Sequence, residues 1–154
     1  MNVRRTVRNQ HVRLVDRAAE QFAAVRRPPE GWLVALRKAL GMSGAEVAAR
    51  MDVSRNAVYQ AERNERDGAI TLKQMQKLAE AMGGRFVYAV VPEGSVGDVI
   101  HAHAVRKADL LVRRASGHMA LEQQSLPNAQ IEQRIEDLAD ELAREVPPDF
   151  WRTP

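Results

Sequence analysis

The segment from residue 54 to residue 65 combines an apolar side with a polar side that could carry recognition chemistry. Ala57, Val58 and Ala61 recur at the spacing of one helix face, which predicts that this face packs inward. The residues left facing outward are Arg55, Asn56, Tyr59, Gln60 and Arg63. Arginine, asparagine and glutamine carry the forked donors and acceptors that bind base edges in the major groove of duplex DNA.

A second short helix is predicted immediately before this one. Ser43 is a good N-cap, and Glu46 three residues later completes a capping box. We expect this helix to run to about Met51. Residues 52–53 then form a tight turn, and Ser54 caps the polar helix.

The two helices are joined by a turn short enough to fix their crossing angle. Small side chains at Ala48 and Ala57 are expected to let the helices approach closely. This is the pattern of a helix-turn-helix, which projects polar side chains from the N-terminal half of its second helix into the major groove.

The composition favours a helical protein. Hydrophobic residues make up 45% of the 154 residues and aromatic residues only 5%, and alanine, the best helix former, is the most frequent apolar residue. The chain has no cysteine, which excludes disulfides, thiolate metal sites and cysteine nucleophiles. The N-terminus lacks the apolar run of a targeting signal, and no stretch approaches 18 apolar residues, so we expect a cytoplasmic protein without a membrane partner.

Prolines and glycines divide the chain into four parts. A basic N-terminal helix over residues 3–25 ends before Pro28-Pro29, and a long helix from Ser95 to about Gln124 precedes a last helix over residues 128–145. The predicted parts are a basic helix (1–27), a helix-turn-helix domain (28–84), a strand (85–92) and a helical C-terminal extension (93–154).

Residues 85–91 are the one convincing strand, because their β-branched and aromatic content is high and Pro92 closes the segment. A single strand needs a partner, and the same strand in a second copy is the simplest one, which predicts a homodimer. The alternative is a short extended segment packed on the helices.

Charge is unevenly distributed. Residues 1–27 hold seven arginines, whereas residues 122–149 hold eight acidic residues against two arginines. The basic N-terminal segment favours a polyanion partner, most simply double-stranded DNA; RNA is an alternative that only the charge supports. The acidic end favours a protein partner, and either run could equally be a solvated helix face.

Other residues that could do chemistry do not form a site. His101 and His103 are two positions apart, so on a helix they diverge and do not share a metal ion. No glycine-rich phosphate loop is present, and the serines lack a nucleophile-elbow context. We therefore expect no enzyme activity, no metal and no cofactor.

The pattern ALGMSGAEVAARMDVSRNAVYQAE within residues 32–83 resembles the XRE, or lambda-repressor-like, helix-turn-helix family. The resemblance implies a mostly α fold: a lambda-repressor-like helix-turn-helix bundle, here with one short β-strand and helical N- and C-terminal extensions. It also implies roles for particular residues. By this resemblance, Arg55, Asn56 and Gln60 read base edges. The residues expected to contact phosphates are Ser43, Ser54, Tyr59 and Arg63. Arg37 and Glu62 are expected to form a structural ion pair.

One position departs from the family pattern. The residue after Ser43 is often glutamine in the family and is Gly44 here, which removes one common DNA contact.

A wider resemblance covers roughly residues 28–124, where PPEGWLVALRKALGMS, GAITLKQMQKLAEAMGGRFVYAVVP and HMALEQQ are similar to the family called mobile mystery protein A. Its members are typically encoded beside a Fic-domain protein, an enzyme class that usually transfers AMP. The resemblance implies an antitoxin-like repressor. Glu122 has the spacing of the glutamate in Fic-inhibitory helices, although His118 and Gln123 depart from that motif, and a solvated helix face is the alternative.

The sequence as a whole predicts a sequence-specific DNA-binding transcriptional regulator that reads the major groove with residues 54–65 as a dimer. The alternative is a protein-binding inhibitor of a Fic AMP-transferase that acts through the C-terminal helices.

Overall fold

A computed structural model describes residues 2–121 and 126–153, without the side chain of Ala120. The described residues form seven α-helices in two compact units, one of residues 24–89 and the other of residues 2–23 together with 90–153. The helices are α1 (Val3–Phe22), α2 (Trp32–Ala39), α3 (Gly44–Met51), α4 (Arg55–Asp67), α5 (Leu72–Ala81), α6 (Val96–Leu121) and α7 (Asn128–Glu145).

The unit of residues 24–89 is a four-helix bundle around one apolar core. Helix α3 packs on α4 and α5, and α2 packs on the same two helices. Each helix contributes the apolar side that its sequence period predicts. The buried residues of this core are Leu33, Val47, Ala48, Val58, Ala61, Met75, Leu78 and Met82.

Local sequence signals set the ends of these helices. Thr71 caps α5 by accepting a hydrogen bond from the Gln74 backbone N–H at 3.1 Å. Helix α4 continues to Asp67, two residues beyond the predicted end. It stops at Gly68, whose φ of 74° lies in the left-handed region that glycine adopts without a steric cost.

In the other unit, α6 and α7 pack side by side along most of α7. Ala104, Ala108 and Ala139 are buried at their contact, where small side chains let two helix backbones come close. Phe150, which follows α7, is fully buried against the same cluster. The predicted helices are confirmed here: α7 spans residues 128–145 as expected, and α6 begins after Ser95.

The chain after α7 is held against α6 by polar contacts. The buried Lys107 ammonium donates to the carbonyls of Asp149, Phe150 and Arg152, the last two at 3.1 and 3.3 Å. The Nε2 atom of His103 lies 2.7 Å from the Phe150 carbonyl oxygen. These contacts give His103 and Lys107 structural roles in fixing the C-terminal turn.

Helix α1 is confirmed, but it ends at Phe22 rather than near residue 25, and none of its side chains is buried. It belongs to the same unit as residues 90–153. The Asp16 carboxylate accepts a hydrogen bond of 2.8 Å from the backbone N–H of Val96, at the start of α6. This contact satisfies one of the donors that the first turn of α6 leaves open.

The strand predicted at residues 85–91 is not confirmed. Residues 84–92 have no regular secondary structure, and the described part of the chain contains no strand. The physical reason is that a strand needs a neighbouring strand for its backbone hydrogen bonds, and the chain places no such segment beside this one among its described residues. Val87, Tyr88 and Val90 are exposed instead.

Among the described residues, no helix is both long enough and apolar enough to cross a lipid bilayer.

Candidate DNA-binding interface

Helices α3 and α4 and the turn between them hold the predicted recognition residues. The capping box at the start of α3 is present. The Ser43 backbone N–H donates to Glu46 Oε2 at 2.6 Å, and the Glu46 N–H donates to Ser43 Oγ at 3.1 Å. Ser54 caps α4 by accepting from the Ala57 N–H at 3.1 Å. Both helix starts are therefore fixed by the serines that the sequence indicated.

The turn is closed by a residue with left-handed backbone geometry. Asp52 has a φ of 53°. Aspartate adopts this left-handed conformation more often than most other non-glycine residues do. The next residue, Val53, donates its backbone N–H to the Ala48 carbonyl at 3.1 Å. This bond folds the chain back over the end of α3 and so sets the direction in which α4 departs.

Helix α4 has a polar face open to solvent and an apolar face in the core. Val58 and Ala61 are buried, as predicted. Ala57 is exposed, so the prediction that it lies at the contact between the two helices is wrong. It occupies the third position of α4, on the side that faces solvent. The exposed polar residues of this helix include Arg55, Asn56, Gln60 and Arg63.

The close approach of the two helices depends on Gly44, whose type alone had indicated only a missing DNA contact. Gly44 is the buried first residue of α3, and the half-buried ring of Tyr59 lies against it. A Cβ atom at Gly44 would lie 2.6 Å from Tyr59 Cζ and 2.8 Å from its hydroxyl oxygen. Only glycine leaves the space that the ring occupies.

Arg37 on α2 and Glu62 on α4 form a two-point ion pair. The distance from Arg37 Nε to Glu62 Oε1 is 2.6 Å, and that from Nη2 to Oε2 is 3.3 Å. Both side chains are largely buried, and Arg37 also donates to the Met42 carbonyl at 3.3 Å. The hydrogen bond that Arg37 donates to the Glu62 carboxylate raises the pKa of Arg37. The guanidinium lies 5.8 Å from the centre of the Tyr59 ring, close enough for a cation–π contact.

The Gln60 side chain is held in a short hydrogen-bonded chain on the exposed face. Its Nε2 donates to Asn64 Oδ1 at 2.8 Å, and its Oε1 accepts from Arg63 Nη2 at 2.7 Å. The amide keeps one donor hydrogen and one acceptor lone pair for a further partner. Its orientation is thus prepared before any contact with a ligand.

Glu65 has a structural role that its position in the sequence does not predict. Its buried carboxylate accepts from the backbone N–H groups of Trp32 and Leu33 at 2.7 and 2.9 Å. It therefore caps α2 from α4, because Gly31 at the N-cap offers no side chain. No local motif reveals such a cap, since the partners are more than thirty positions apart in the chain.

The Ser54 hydroxyl at the start of α4 remains able to donate. Its oxygen accepts the capping bond from the Ala57 N–H, which leaves its own hydrogen free for an acceptor such as a phosphate oxygen. Hydrogen bonds from Ser43, first from its backbone N–H, hold the pKa of the Glu46 carboxyl below its usual value. The carboxylate is thus ionised at neutral pH at the positive end of α3.

Glu122 lies outside the described residues. No group of three histidine, aspartate or glutamate side chains in the described segments is placed to hold a metal ion.

A protein-family comparison identifies the class of this site. Residues 33–88, roughly a third of the chain, match the family model described as Helix-turn-helix. That family is a DNA-binding, non-enzymatic class of the XRE type, and the segment is similar to it. The match supports a DNA-binding regulator of that type. Searches of curated proteins and of solved structures found no match to the chain.

Proposed function

We propose that this protein is a sequence-specific transcriptional regulator that reads the major groove of duplex DNA with α4. The observation that carries the proposal is the exposed row of polar side chains on α4, directly opposite the buried Val58 and Ala61. In a helix-turn-helix, this is the surface that enters the groove.

The chemistry of the side chains suggests which residues contact bases and which contact phosphates. Arg55 can donate a fork to guanine O6 and N7, while Asn56 and Gln60 can pair with adenine N6 and N7. Phosphate oxygens would be bound by the residues that flank this row: Ser43, Ser54, Tyr59 and Arg63. Phosphate contacts fix the register of the helix, and the base contacts give the specificity.

The test compares binding to DNA from the protein's own promoter region. Replacing Arg55 and Gln60 together by alanine should weaken specific binding by at least about 30-fold, since each two-point base contact contributes about 1–3 kcal/mol. The matched control is Lys73→Ala with Gln76→Ala, which removes the same charge and amide from exposed positions on α5. Equal loss in both variants, or no loss in the first, would refute base reading by α4.

We further propose a homodimer in which residues 85–91 pair with the same segment of a second copy. Val87, Tyr88 and Val90 are exposed, with 90% of Val90 accessible. The rings of Phe86 and Tyr88 stack at 5.5 Å, while Phe86 packs on the core of its own unit. Antiparallel pairing would satisfy the backbone groups and cover these apolar side chains at once.

The oligomeric state tests this proposal through Val90→Glu. Since Val90 is exposed in the single chain, the substitution should leave the helices folded yet convert a dimer to a monomer, as measured by sedimentation at micromolar concentration. Leu72→Glu, at another exposed apolar position, serves as the control. A wild-type monomer, or a dimer that persists with Val90→Glu, would refute pairing through this segment.

The role as an antitoxin-like repressor of a Fic-domain partner rests on the resemblance to mobile mystery protein A and on the exposed acidic side of α7. Six acidic residues of this helix are exposed: Glu132, Glu136, Asp137, Asp140, Glu141 and Glu145. If Glu122 inhibits the partner, Glu122→Ala should restore AMP transfer while Glu132→Ala leaves inhibition intact. Inhibition that survives Glu122→Ala would refute the inhibitory role of this residue.

A further inference from the structure

A cavity of about 460 Å³ lies where the start of α1 meets the end of α7, within the unit of residues 2–23 and 90–153. The charges that line it are mostly positive. Four arginines face a single carboxylate, that of Glu145, and the two prolines after α7 complete one wall. The arginines are Arg4, Arg5, Arg8 and Arg144.

One of these arginines holds the cavity together. Arg8 donates to the carbonyls of Arg144 and Glu145 at 3.2 and 3.5 Å. Those carbonyls belong to the last turn of α7, where intrahelical donors are missing. Arg8 therefore joins α1 to the end of α7. This structural contact is enough to explain why Arg8 lines the cavity.

The other three guanidiniums have no such partner. The guanidinium groups of Arg4, Arg5 and Arg144 form no ion pair or hydrogen bond with any residue in the described ranges. Arg4 and Arg5 also lie in the first turn of α1, which has no acidic residue. Cations are unfavourable there, because the N-terminal end of a helix already carries a partial positive charge.

We propose that this cavity binds a phosphate group. Arginine forks match the oxygens of a carboxylate or a phosphate, but one carboxylate would neutralise only one of the uncompensated charges. A phosphate monoester carries up to two negative charges and three acceptor oxygens, so several guanidiniums can share it. A monoester of this kind belongs to a free phosphorylated molecule. The DNA backbone instead offers phosphodiesters with one negative charge each, so two neighbouring phosphates of a strand would share the arginines.

Inorganic phosphate is the probe, titrated into the full-length protein by calorimetry, with chloride used to hold the ionic strength constant. Arg4→Gln with Arg5→Gln should weaken phosphate binding by at least about tenfold, because charge-assisted hydrogen bonds are lost. Arg13→Gln with Arg17→Gln is the matched control, since it removes two exposed arginines of the same helix that do not line the cavity. We expect it to bind phosphate as the wild type does.

The source of the phosphate is then tested with a random-sequence DNA duplex. If the backbone supplies it, Arg4→Gln with Arg5→Gln should reduce the slope of log K against log salt by about 2. If a free molecule supplies it, the two double variants should give equal slopes. Absent phosphate binding, or equal affinity in both double variants, would overturn the site. The phosphate readout does not involve α4, so its failure is distinguishable from failure of the proposed base reading.

Discussion

Gly44 and Tyr59 share one space at the contact between α3 and α4. A Cβ atom at Gly44 would lie 2.6 Å from Cζ of the Tyr59 ring, well inside van der Waals contact. The absence of a side chain at Gly44 is therefore what allows the Tyr59 ring to lie against the start of α3. Gly44 thus positions a residue of the proposed phosphate-binding set instead of contacting DNA itself.

Substitution of Gly44 by alanine should displace the Tyr59 ring. Overpacking a filled contact costs about 1–3 kcal/mol, which exceeds the roughly 1 kcal/mol that alanine gains over glycine within a helix. We expect a net decrease in the free energy of unfolding of up to about 2 kcal/mol, measured by urea denaturation, and weaker DNA binding because the ring has moved.

A double-mutant cycle isolates this clash. With Tyr59→Ala as background, Gly44→Ala has no ring to displace, so it should become neutral or stabilising. If Gly44→Ala destabilises the protein equally with and without the ring, the space is not set by Tyr59 and the interpretation fails.

The ion pair between Arg37 and Glu62 should matter most when only one partner is removed. Arg37→Met leaves the Glu62 carboxylate buried without a counter-ion, which we expect to cost about 3 kcal/mol of unfolding free energy. Replacing both residues together, with Glu62→Leu as the second change, should recover most of that loss. Urea denaturation of the two variants checks this, and additive losses in the double variant would contradict it.

If Glu65 caps α2, substitutions of Glu65 should destabilise the protein in proportion to the hydrogen bonds that they remove. Glu65→Ala removes two hydrogen bonds and leaves the Leu33 backbone N–H without its acceptor, which should cost about 2–3 kcal/mol. Glu65→Gln retains one amide oxygen and should lose less. The control is Glu80→Ala at an exposed position of α5. If all three variants have the same thermal midpoint, Glu65 does not cap α2.

The capping box of α3 should respond to acid. The folded-state pKa of Glu46 is lowered, chiefly by the Ser43 backbone N–H and to a smaller extent by the Ser43 hydroxyl. Its contribution to stability is therefore present above the ordinary pKa of 4.5 and is lost as the pH falls through the lowered folded value.

Carboxyl NMR titration measures this pKa directly. Ser43→Ala removes only the smaller cause, so the pKa of Glu46 should rise part of the way toward its ordinary value. A wild-type pKa at or above 4.5 would show that the capping box does not form in solution.

Local signals in the sequence were sufficient for most helix boundaries in the bundle. Ser43 and Ser54 each cap the helix that follows, because a capping bond joins residues three positions apart and leaves a recognisable pattern. The outward polar row of α4 followed equally from the helical period, since Val58 and Ala61 had to face the core.

Features that depend on distant contacts were not predictable in the same way. The caps from Glu65 to α2 and from Lys107 to the C-terminal turn join residues more than thirty positions apart. Ala57 was assigned to the helix contact by its size alone, whereas Gly44 provides it. The segment at 85–91 has the composition of a strand, but pairing needs a partner that the single chain does not supply among its described residues.

Sequence reading by α4 is tested most directly by binding of the full-length protein to its own promoter region over a range of salt concentrations, with random DNA as competitor. Sequence reading by α4 predicts a complex that survives excess competitor, because specific sites are typically bound at least about a thousandfold more tightly than random DNA. Equal affinity for promoter and random DNA at every salt concentration would contradict the account.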